Sequence, residues 1–235
     1  MMTHGKAFNA IESVFSLMAN NNARNFSVTR ESLDYLNAVY GFKSCFDKER
    51  LVLGVKSGGY WPNNVKRGLT NRQQSSIFLI DADTGQLKAL VGGNYLTAIK
   101  TATCSAVPIF YLARQDSNVI GIVGAGHQST FQLEAALEQR NFKKIVAWNK
   151  GESKLFTLKI VADKHKLAFE VMDSEQLCFQ ADVIITITSA HELLLMRDWI
   201  QKVTHIACMV TDTKGKQEID PLLANSSSLF TDEIM

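Results

Sequence analysis

The residues best suited to chemistry lie between Val119 and Ala136. There an apolar run, Val119 to Val123, passes into Gly124-Ala-Gly126-His-Gln-Ser129 and then into Phe131, Leu133, Ala135, Ala136 and Leu137 at helical spacing. The order is strand, glycine turn, helix. Such a turn needs a glycine where the chain bends sharply (Gly124), a second where bare backbone lets a pyrophosphate approach (Gly126), and a small residue where helix and strand pack closely. Ser129 stands in that third place, where Gly or Ala is usual. The helix that follows offers unpaired N–H groups and a positive dipole end to phosphates. A lone match of this kind also occurs as a plain turn, so the reading leans on what comes after it. Roughly 20 residues on, NAD-binding folds set an acidic residue on the ribose hydroxyls, whereas NADP binders admit a cation for the 2′-phosphate. Here the second strand ends Ala147-Trp148-Asn149-Lys150. No carboxylate stands there, and Lys150 could pair with a 2′-phosphate, which points to NADPH; a solvated loop lysine is the plain alternative.

The elements that must position this turn are legible around it. Downstream, strand-like runs at 144–148, 167–171, 182–188 and 205–210 alternate with helical stretches at about 153–163, 174–179 and 192–201. Strands alternating with helices imply a parallel sheet covered on both faces. Residues 118–235 therefore read as a Rossmann-type dinucleotide-binding domain, and the chain as α/β with a separate N-terminal α+β domain over residues 1–117. In that first part, Phe8, Ile11, Val14, Phe15 and Met18 give an amphipathic helix. Short β-type runs follow and end in the strand Arg50 to Lys56; Ser57-Gly-Gly-Tyr-Trp-Pro-Asn-Asn64 reads as a loop, and 76–81 with 86–91 as a β-hairpin about Ala82-Asp-Thr-Gly85. Tyr95 to Ala113 has helical periodicity, and Pro108 inside it should kink or split the helix.

Composition sets outer bounds. The chain has 235 residues, 46% hydrophobic and 20% charged, as in ordinary globular proteins. A net charge of +2 argues against a dedicated nucleic-acid or membrane-surface protein. No apolar run approaches the roughly 20 residues that span a bilayer. Met-Met-Thr-His-Gly-Lys at the N-terminus lacks the apolar core of a secretory signal, so a cytoplasmic protein is expected. Cys45, Cys104, Cys178 and Cys208 show no metal or disulfide spacing and read as buried free thiols; the five histidines are isolated, and no metal site is expected.

Several segments together resemble the ornithine cyclodeaminase/mu-crystallin family. They are Val55-Lys56 with Gly59-Tyr-Trp-Pro-Asn-Asn64, Asp83-Thr-Gly85, Leu96-Thr97-Ala-Ile-Lys100-Thr101-Ala, Tyr111-Leu-Ala-Arg114, Gly124-Ala-Gly126-His-Gln128, Thr186-Ile-Thr188 and Asp212-Thr-Lys-Gly-Lys-Gln-Glu218-Ile. They occur in family order across nearly the whole chain. Trp148-Asn149-Lys150 resembles the Trp-Asn-Arg of NADPH-binding mu-crystallins more than the acidic end of NAD-bound cyclodeaminases. By this resemblance Lys56 is the active-site lysine, Asp212 the aspartate that shuttles a proton at the substrate nitrogen, and Arg30 a ligand of the substrate carboxylate. Thr97, Gly126, His127, Gln128 and Thr188 would line the dinucleotide.

The departures bear on the same roles. Lys100 stands where the family pattern has arginine; it keeps the charge but not the two-pronged grip on a carboxylate. Val203 and Val210 replace glycines common in the family. The chain stops at Phe230-Thr-Asp-Glu-Ile-Met235, whereas family members continue with helices that return to the first domain; apolar surface there is the expectation. The resemblance implies an NADPH-dependent reductase of small cyclic imino acids of the pyrroline- or piperideine-carboxylate type, acting as a homodimer through the first domain. An NAD-dependent ornithine cyclodeaminase and a non-catalytic NADPH-binding protein of the crystallin kind are the alternatives.

Overall fold

The computed structural model describes residues 2–69, 72–209 and 215–232. It divides into two compact units, one made of Asn9–Ala98 with Met2, the other of Thr3–Phe8 with Ile99 onward.

Helix α1 (His4–Ala19), of which the part from Asn9 on belongs to the first unit, precedes that unit's strands β1 (Ala23–Asn25), β2 (Thr29–Ser32), β3 (Val39–Asp47), β4 (Val52–Tyr60), β5 (Gln73–Asp81) and β6 (Leu87–Gly92). The sheet runs β1-β3-β4-β5-β6 with β2 also on β3, every pair antiparallel. The hairpin β5–β6 stands as expected, its turn held by Asp81 Oδ1, which accepts from the N–H groups of Asp83 (3.0 Å) and Thr84 (2.9 Å). One expectation fails here. Ser57 to Tyr60 is not loop but the second half of β4, paired with β3 on one side and β5 on the other. The two glycines are there because neighbouring strands crowd them: a Cβ on Gly58 would overlap the Gln74 carbonyl and stand 2.6 Å from Ser75 Cβ.

Helix α2 (Gly93–Leu112) is one continuous helix with Pro108 inside it, so the expected split does not occur. A proline costs the helix one N–H bond, and the flanking residues Ala106, Val107 and Ile109 are buried, which holds the helix through the missing bond. Its far end is closed by Arg140, whose guanidinium donates to the carbonyls of Phe110 (2.7 Å), Ala113 (2.7 Å) and Arg114 (3.1 Å). Carbonyls at a helix C-terminus have no partner within the helix, and this buried cation supplies one.

The second unit holds β7 (Val119–Val123), α3 (His127–Leu137), β8 (Lys144–Trp148), α4 (Phe156–His165), β9 (Ala168–Val171), α5 (Ser174–Gln180), β10 (Val183–Thr186), β11 (His205–Cys208) and the short α6 (Pro221–Asn225). The strands are all parallel, in the order β11-β10-β7-β8-β9. Alternate residues feed two cores: Ile120, Ile122, Ile145, Val183 and Ile185 on one face, Val123, Val146 and Ile184 on the other. Burying each such side chain contributes about 1.5–3 kcal/mol. This is the two-faced α/β sheet that the alternation implied.

The helix expected at 192–201 is absent; a single 3-10 turn, Arg197–Trp199, lies there. The N–H groups of Leu194 (2.7 Å) and Leu195 (3.1 Å) both donate to the Glu218 carbonyl, and Asp220 N–H returns to the Leu195 carbonyl at 2.9 Å. That pairing with a distant segment takes the backbone groups a helix would need. Among the cysteines, Cys178 is buried, Cys104 and Cys208 are half-buried, and Cys45 is exposed, against the expectation of four buried thiols.

Candidate functional site

The glycine turn between β7 and α3 has the geometry its sequence demands. Gly124 has φ 114°, and its N–H donates to the Trp148 carbonyl at 2.8 Å. A Cβ there would stand 2.7 Å from the Ile187 carbonyl oxygen, so the position excludes side chains. Gly126 differs: nothing lies within 4 Å of where its Cβ would be. It is the N-cap of α3 with no side-chain cap, which leaves bare backbone and helix N–H groups facing open space. Ser129 is buried and its hydroxyl donates to the Gly126 carbonyl at 2.7 Å, fixing the turn onto the helix. His127 is exposed, its ring 5.5 Å from that of Phe131. Gln128 Oε1 is buried without a hydrogen-bond partner, as expected of a polar group that awaits a ligand. Open space at Gly126 and free helix N–H groups are the features a dinucleotide-binding turn requires.

The end of β8 is tied to this turn. Asn149 Oδ1 accepts the Ala125 N–H at 3.0 Å, and its Nδ2 donates to the Gly151 carbonyl at 2.6 Å. Asn149 thus shapes the glycine loop from outside. Lys150 extends beyond it and pairs with Glu192 at 3.1 Å, with side-chain exposures of 83% and 57%. Glu192, which the sequence reading missed, sits in the segment read as a helix. Its opposition to Lys150 comes from the loop that replaces that helix.

The loop after β10 is set by another residue that sequence reasoning placed in a motif but gave no role. Glu218 is 1% exposed; it accepts from the Thr188 N–H at 3.0 Å, from the Thr188 hydroxyl, and from the Thr186 hydroxyl at 2.9 Å. Lys216, also with a buried side chain, lies 3.8 Å from Glu218 and donates to the Thr188 carbonyl at 2.6 Å. Thr188 therefore spends its N–H and hydroxyl on Glu218.

In the first unit, Lys56 is half-buried in the middle of β4. Its Nζ lies 3.5 Å from Thr97 Oγ1, which is 3.4 Å from Ser75 Oγ. Asn94 accepts the Ser75 N–H at 2.8 Å and donates to Gln74 Oε1 at 3.0 Å, pinning the first turn of α2 to β5 and so bringing Thr97 to Lys56. A half-buried ammonium among hydroxyls can hold a carboxylate. Arg30 on β2 pairs with Gly41 of β3 and so shares the sheet face of Lys56, although it is exposed. Lys100 is exposed on α2 beside Cys104, whose thiol is pushed up by burial against the opposing pull of the Lys100 charge. Asp212 and Val210 lie outside the described residues. Val203 is described, and it is left-handed with φ 62°.

With this geometry in view, comparison with known proteins is direct. The model of the "Ornithine cyclodeaminase/mu-crystallin family" matches residues 2–234. The chain is 50% identical over 234 residues to iminosuccinate reductase of Paracoccus denitrificans, covering 100% of this chain and 73% of that protein. It is 31% identical over 166 residues to the ketimine reductase mu-crystallin of Rattus norvegicus, covering 68% of this chain and 50% of that protein. Among solved structures, the Paracoccus iminosuccinate reductase in complex with NAD+ superposes with a TM-score of 0.94, over 99% of this chain and 72% of that one. The Thermococcus litoralis Δ1-pyrroline-2-carboxylate reductase in complex with NADH and L-proline gives 0.89 at 27% identity, over 96% of this chain and 70% of that one.

Proposed function

The chain belongs to the ornithine cyclodeaminase/mu-crystallin family, and from that premise we propose that it reduces the C=N bond of a small 2-imino acid, with iminosuccinate as the substrate and NADH as the reductant. The observation that carries the reading is Lys56, an ammonium half-buried in the sheet and steadied by Thr97, in the same chain as a dinucleotide-type glycine loop. The choice of iminosuccinate over the cyclic imino acids expected from sequence is supported by the 50% identity with the Paracoccus enzyme. The choice of NADH over NADPH is supported by Glu192, which already answers the Lys150 charge, and by the NAD+ and NADH held in the two related structures.

NADH, when bound at the glycine loop, would supply the hydride for the imine carbon. The rest falls to the chain. Lys56, with Arg30 on the same sheet face, holds the carboxylate next to the imine and so fixes the carbon's position; orientation of this kind can supply about 7–11 kcal/mol of a barrier. Asp212, carried over by motif, gives its proton to the imine nitrogen, and the product is the amino acid. Overall, imine, NADH and one proton become amine and NAD+.

The test is NADH oxidation by the purified chain with oxaloacetate and excess ammonium, which form iminosuccinate in solution, beside Δ1-pyrroline-2-carboxylate and beside ornithine with NAD+. Turnover of iminosuccinate is expected, and Asp212→Asn should lower it about 10²–10⁴-fold. Turnover of the cyclic imine alone would return the substrate to the cyclic class. Ammonia release from ornithine would make the chain a cyclodeaminase.

A further inference from the structure

We infer that Glu218 is a positioning residue for the dinucleotide: it holds the loop after β10 against the glycine turn and so shapes the part of the crevice that takes the nicotinamide half. The inference rests on the dinucleotide reading above and deepens it, since Thr188 becomes a residue held in place for the cofactor rather than a ligand of it.

Topology locates the loop. The sheet order β11-β10-β7-β8-β9 reverses direction between β7 and β10, and in open parallel sheets a ligand binds in the crevice beyond the carboxyl ends at that point. In such folds the glycine turn takes the pyrophosphate and the end of the second strand takes the adenosine ribose, so the nicotinamide half belongs on the β10 side. Two contacts make the loop after β10 a wall of this crevice. Ile187 N–H donates to the Val123 carbonyl at 2.9 Å, which carries the β7–β10 ladder past the end of β10. A Cβ on Gly124 would stand 2.7 Å from the Ile187 carbonyl oxygen and 3.0 Å from Thr188 Cγ2, so Thr188 lies against the glycine turn itself.

Glu218 decides where Thr188 goes. Its two oxygens span the end of the strand: Oε2 accepts the Thr186 hydroxyl at 2.9 Å, and Oε1 accepts both the Thr188 N–H at 3.0 Å and the Thr188 hydroxyl. The Thr188 hydroxyl oxygen in turn accepts the Ala190 N–H at 3.0 Å, and the Thr188 carbonyl accepts from Lys216 Nζ at 2.6 Å. A threonine has two donors, its N–H and its O–H. Both are spent on Glu218, which is 1% exposed. Thr188 therefore donates to a phosphate, a ribose or a carboxamide only by breaking a bond to a buried carboxylate. Such bonds are charge-assisted and strong, and the cofactor does not win them. What Thr188 gives the crevice is a fixed backbone, and Glu218 is what fixes it.

The test separates positioning from general stability by the choice of probe. Binding of NADH, and of ADP, which has the adenosine and the pyrophosphate but no nicotinamide, is measured by calorimetry on the full chain. The proteins are the unmodified chain, Glu218→Gln, Thr188→Val, Thr188→Ser and the double variant of the first two substitutions. Glu218→Gln and Thr188→Val should each weaken NADH about 10-fold, the low end of what a hydrogen bond to a charged group is worth, and leave ADP within about twofold. Thr188→Ser keeps the hydroxyl and should hold both probes within about threefold. The double variant should bind NADH no worse than the weaker single variant, because both substitutions remove the same bond. In turnover, KM for NADH should rise by that factor with kcat within about twofold. Unchanged NADH affinity in Glu218→Gln overturns the proposal. An equal loss for NADH and ADP overturns it too, since a general loosening of the fold does that. So does a Thr188→Val loss that adds in full to the Glu218→Gln loss, which would put the hydroxyl on the cofactor. A parent protein that binds neither probe removes the dinucleotide reading and this inference with it. If NADH binding follows the expected pattern while no imine is reduced, the positioning role stands and only the reductase reading falls.

Discussion

Glu218 takes both hydrogen bonds that Thr188 can donate: its Oε1 accepts the Thr188 N–H at 3.0 Å and the Thr188 hydroxyl, while Oε2 accepts the Thr186 hydroxyl at 2.9 Å. The carboxylate is 1% exposed, and the Lys216 ammonium, with 4% side-chain exposure, lies 3.8 Å away. The end of β10 and the start of the following loop thus hang on one buried side chain. Glu218→Ala would leave the Thr186 and Thr188 hydroxyls without this acceptor and take the carboxylate away from beside the Lys216 ammonium, and removing one partner of a buried pair costs about 3–5 kcal/mol. Glu218→Gln keeps one acceptor oxygen and should lose less. Urea unfolding measures both, and a Glu218→Ala protein as stable as the parent would show that the loop does not depend on it.

Cofactor choice turns on Lys150 and Glu192. Their pair is exposed on both sides, so it contributes little to stability, about 0–1 kcal/mol. Its effect is on charge: Glu192 offsets the cation that would attract a 2′-phosphate. Glu192→Gln should raise affinity for NADPH about three- to tenfold with NADH nearly unchanged, and Lys150→Asp should lower NADPH affinity by at least as much. Nicotinamide fluorescence titrations of the parent and both variants with NADH and NADPH give the constants. A parent protein that prefers NADPH tenfold would return the cofactor to the one expected from sequence.

What the sequence made legible, and what it hid, divides by range. The turn at Gly124 and Gly126 was readable because its constraint is local: a bend and a bare backbone must be written as glycine at the spot. The strands β7, β8 and β10 were readable because burial on both faces leaves continuous apolar runs. Leu193-Leu-Leu-Met196 also fits a helix, but the Glu218 carbonyl claims the N–H groups of Leu194 and Leu195, and nothing near residue 194 announces that. Gly58 and Gly59 signalled a loop by composition, whereas the crowding of β3 and β5 on β4 is what requires them.

Val203 carries strain that its sequence position hinted at. It stands where the resemblance expects glycine, has φ 62°, and is 71% exposed. A β-branched residue in the left-handed region costs about 1–2 kcal/mol, and an exposed side chain returns little packing. Val203→Gly should stabilise the chain by about 1 kcal/mol once the greater freedom of glycine in the unfolded chain is subtracted. A thermal midpoint unchanged or lowered by this substitution would count against strain at the position.

His205 gives the stability a pH dependence. Burial, and then the nearby Arg140 charge, push its pKa down to about 4 from an ordinary 6.5, and its Nε2 is buried without a partner. The folded protein therefore keeps the ring neutral while the unfolded chain takes up a proton below pH 6.5. Stability is full above that value, falls as pH drops from 6.5 to about 4, and changes no further from this group below that. The total is up to about 3 kcal/mol. His205→Phe should flatten the loss between pH 7 and pH 4.5 in denaturant titrations. An equal slope in both proteins would assign the loss to other groups.

Thr97 has two candidate partners, and kinetics can choose between them. The resemblance puts it on the dinucleotide, whereas the structure sets its hydroxyl 3.5 Å from Lys56 Nζ and 3.4 Å from Ser75 Oγ. On the proposed reading Lys56 is a carboxylate ligand that acts in both ground and transition states, so with Lys56→Met the KM for the imino acid should rise and kcat/KM fall by about 100-fold. Thr97→Val keeps the shape and deletes the hydroxyl. If the hydroxyl serves to orient Lys56, Thr97→Val should raise the same KM by about two- to fivefold, leave the Kd for NADH alone, and add nothing further in the Lys56→Met background. A weakened NADH Kd with an unchanged KM would place Thr97 on the cofactor instead. Independent, additive losses from the two substitutions would show that the contact with Lys56 has no part in binding the substrate.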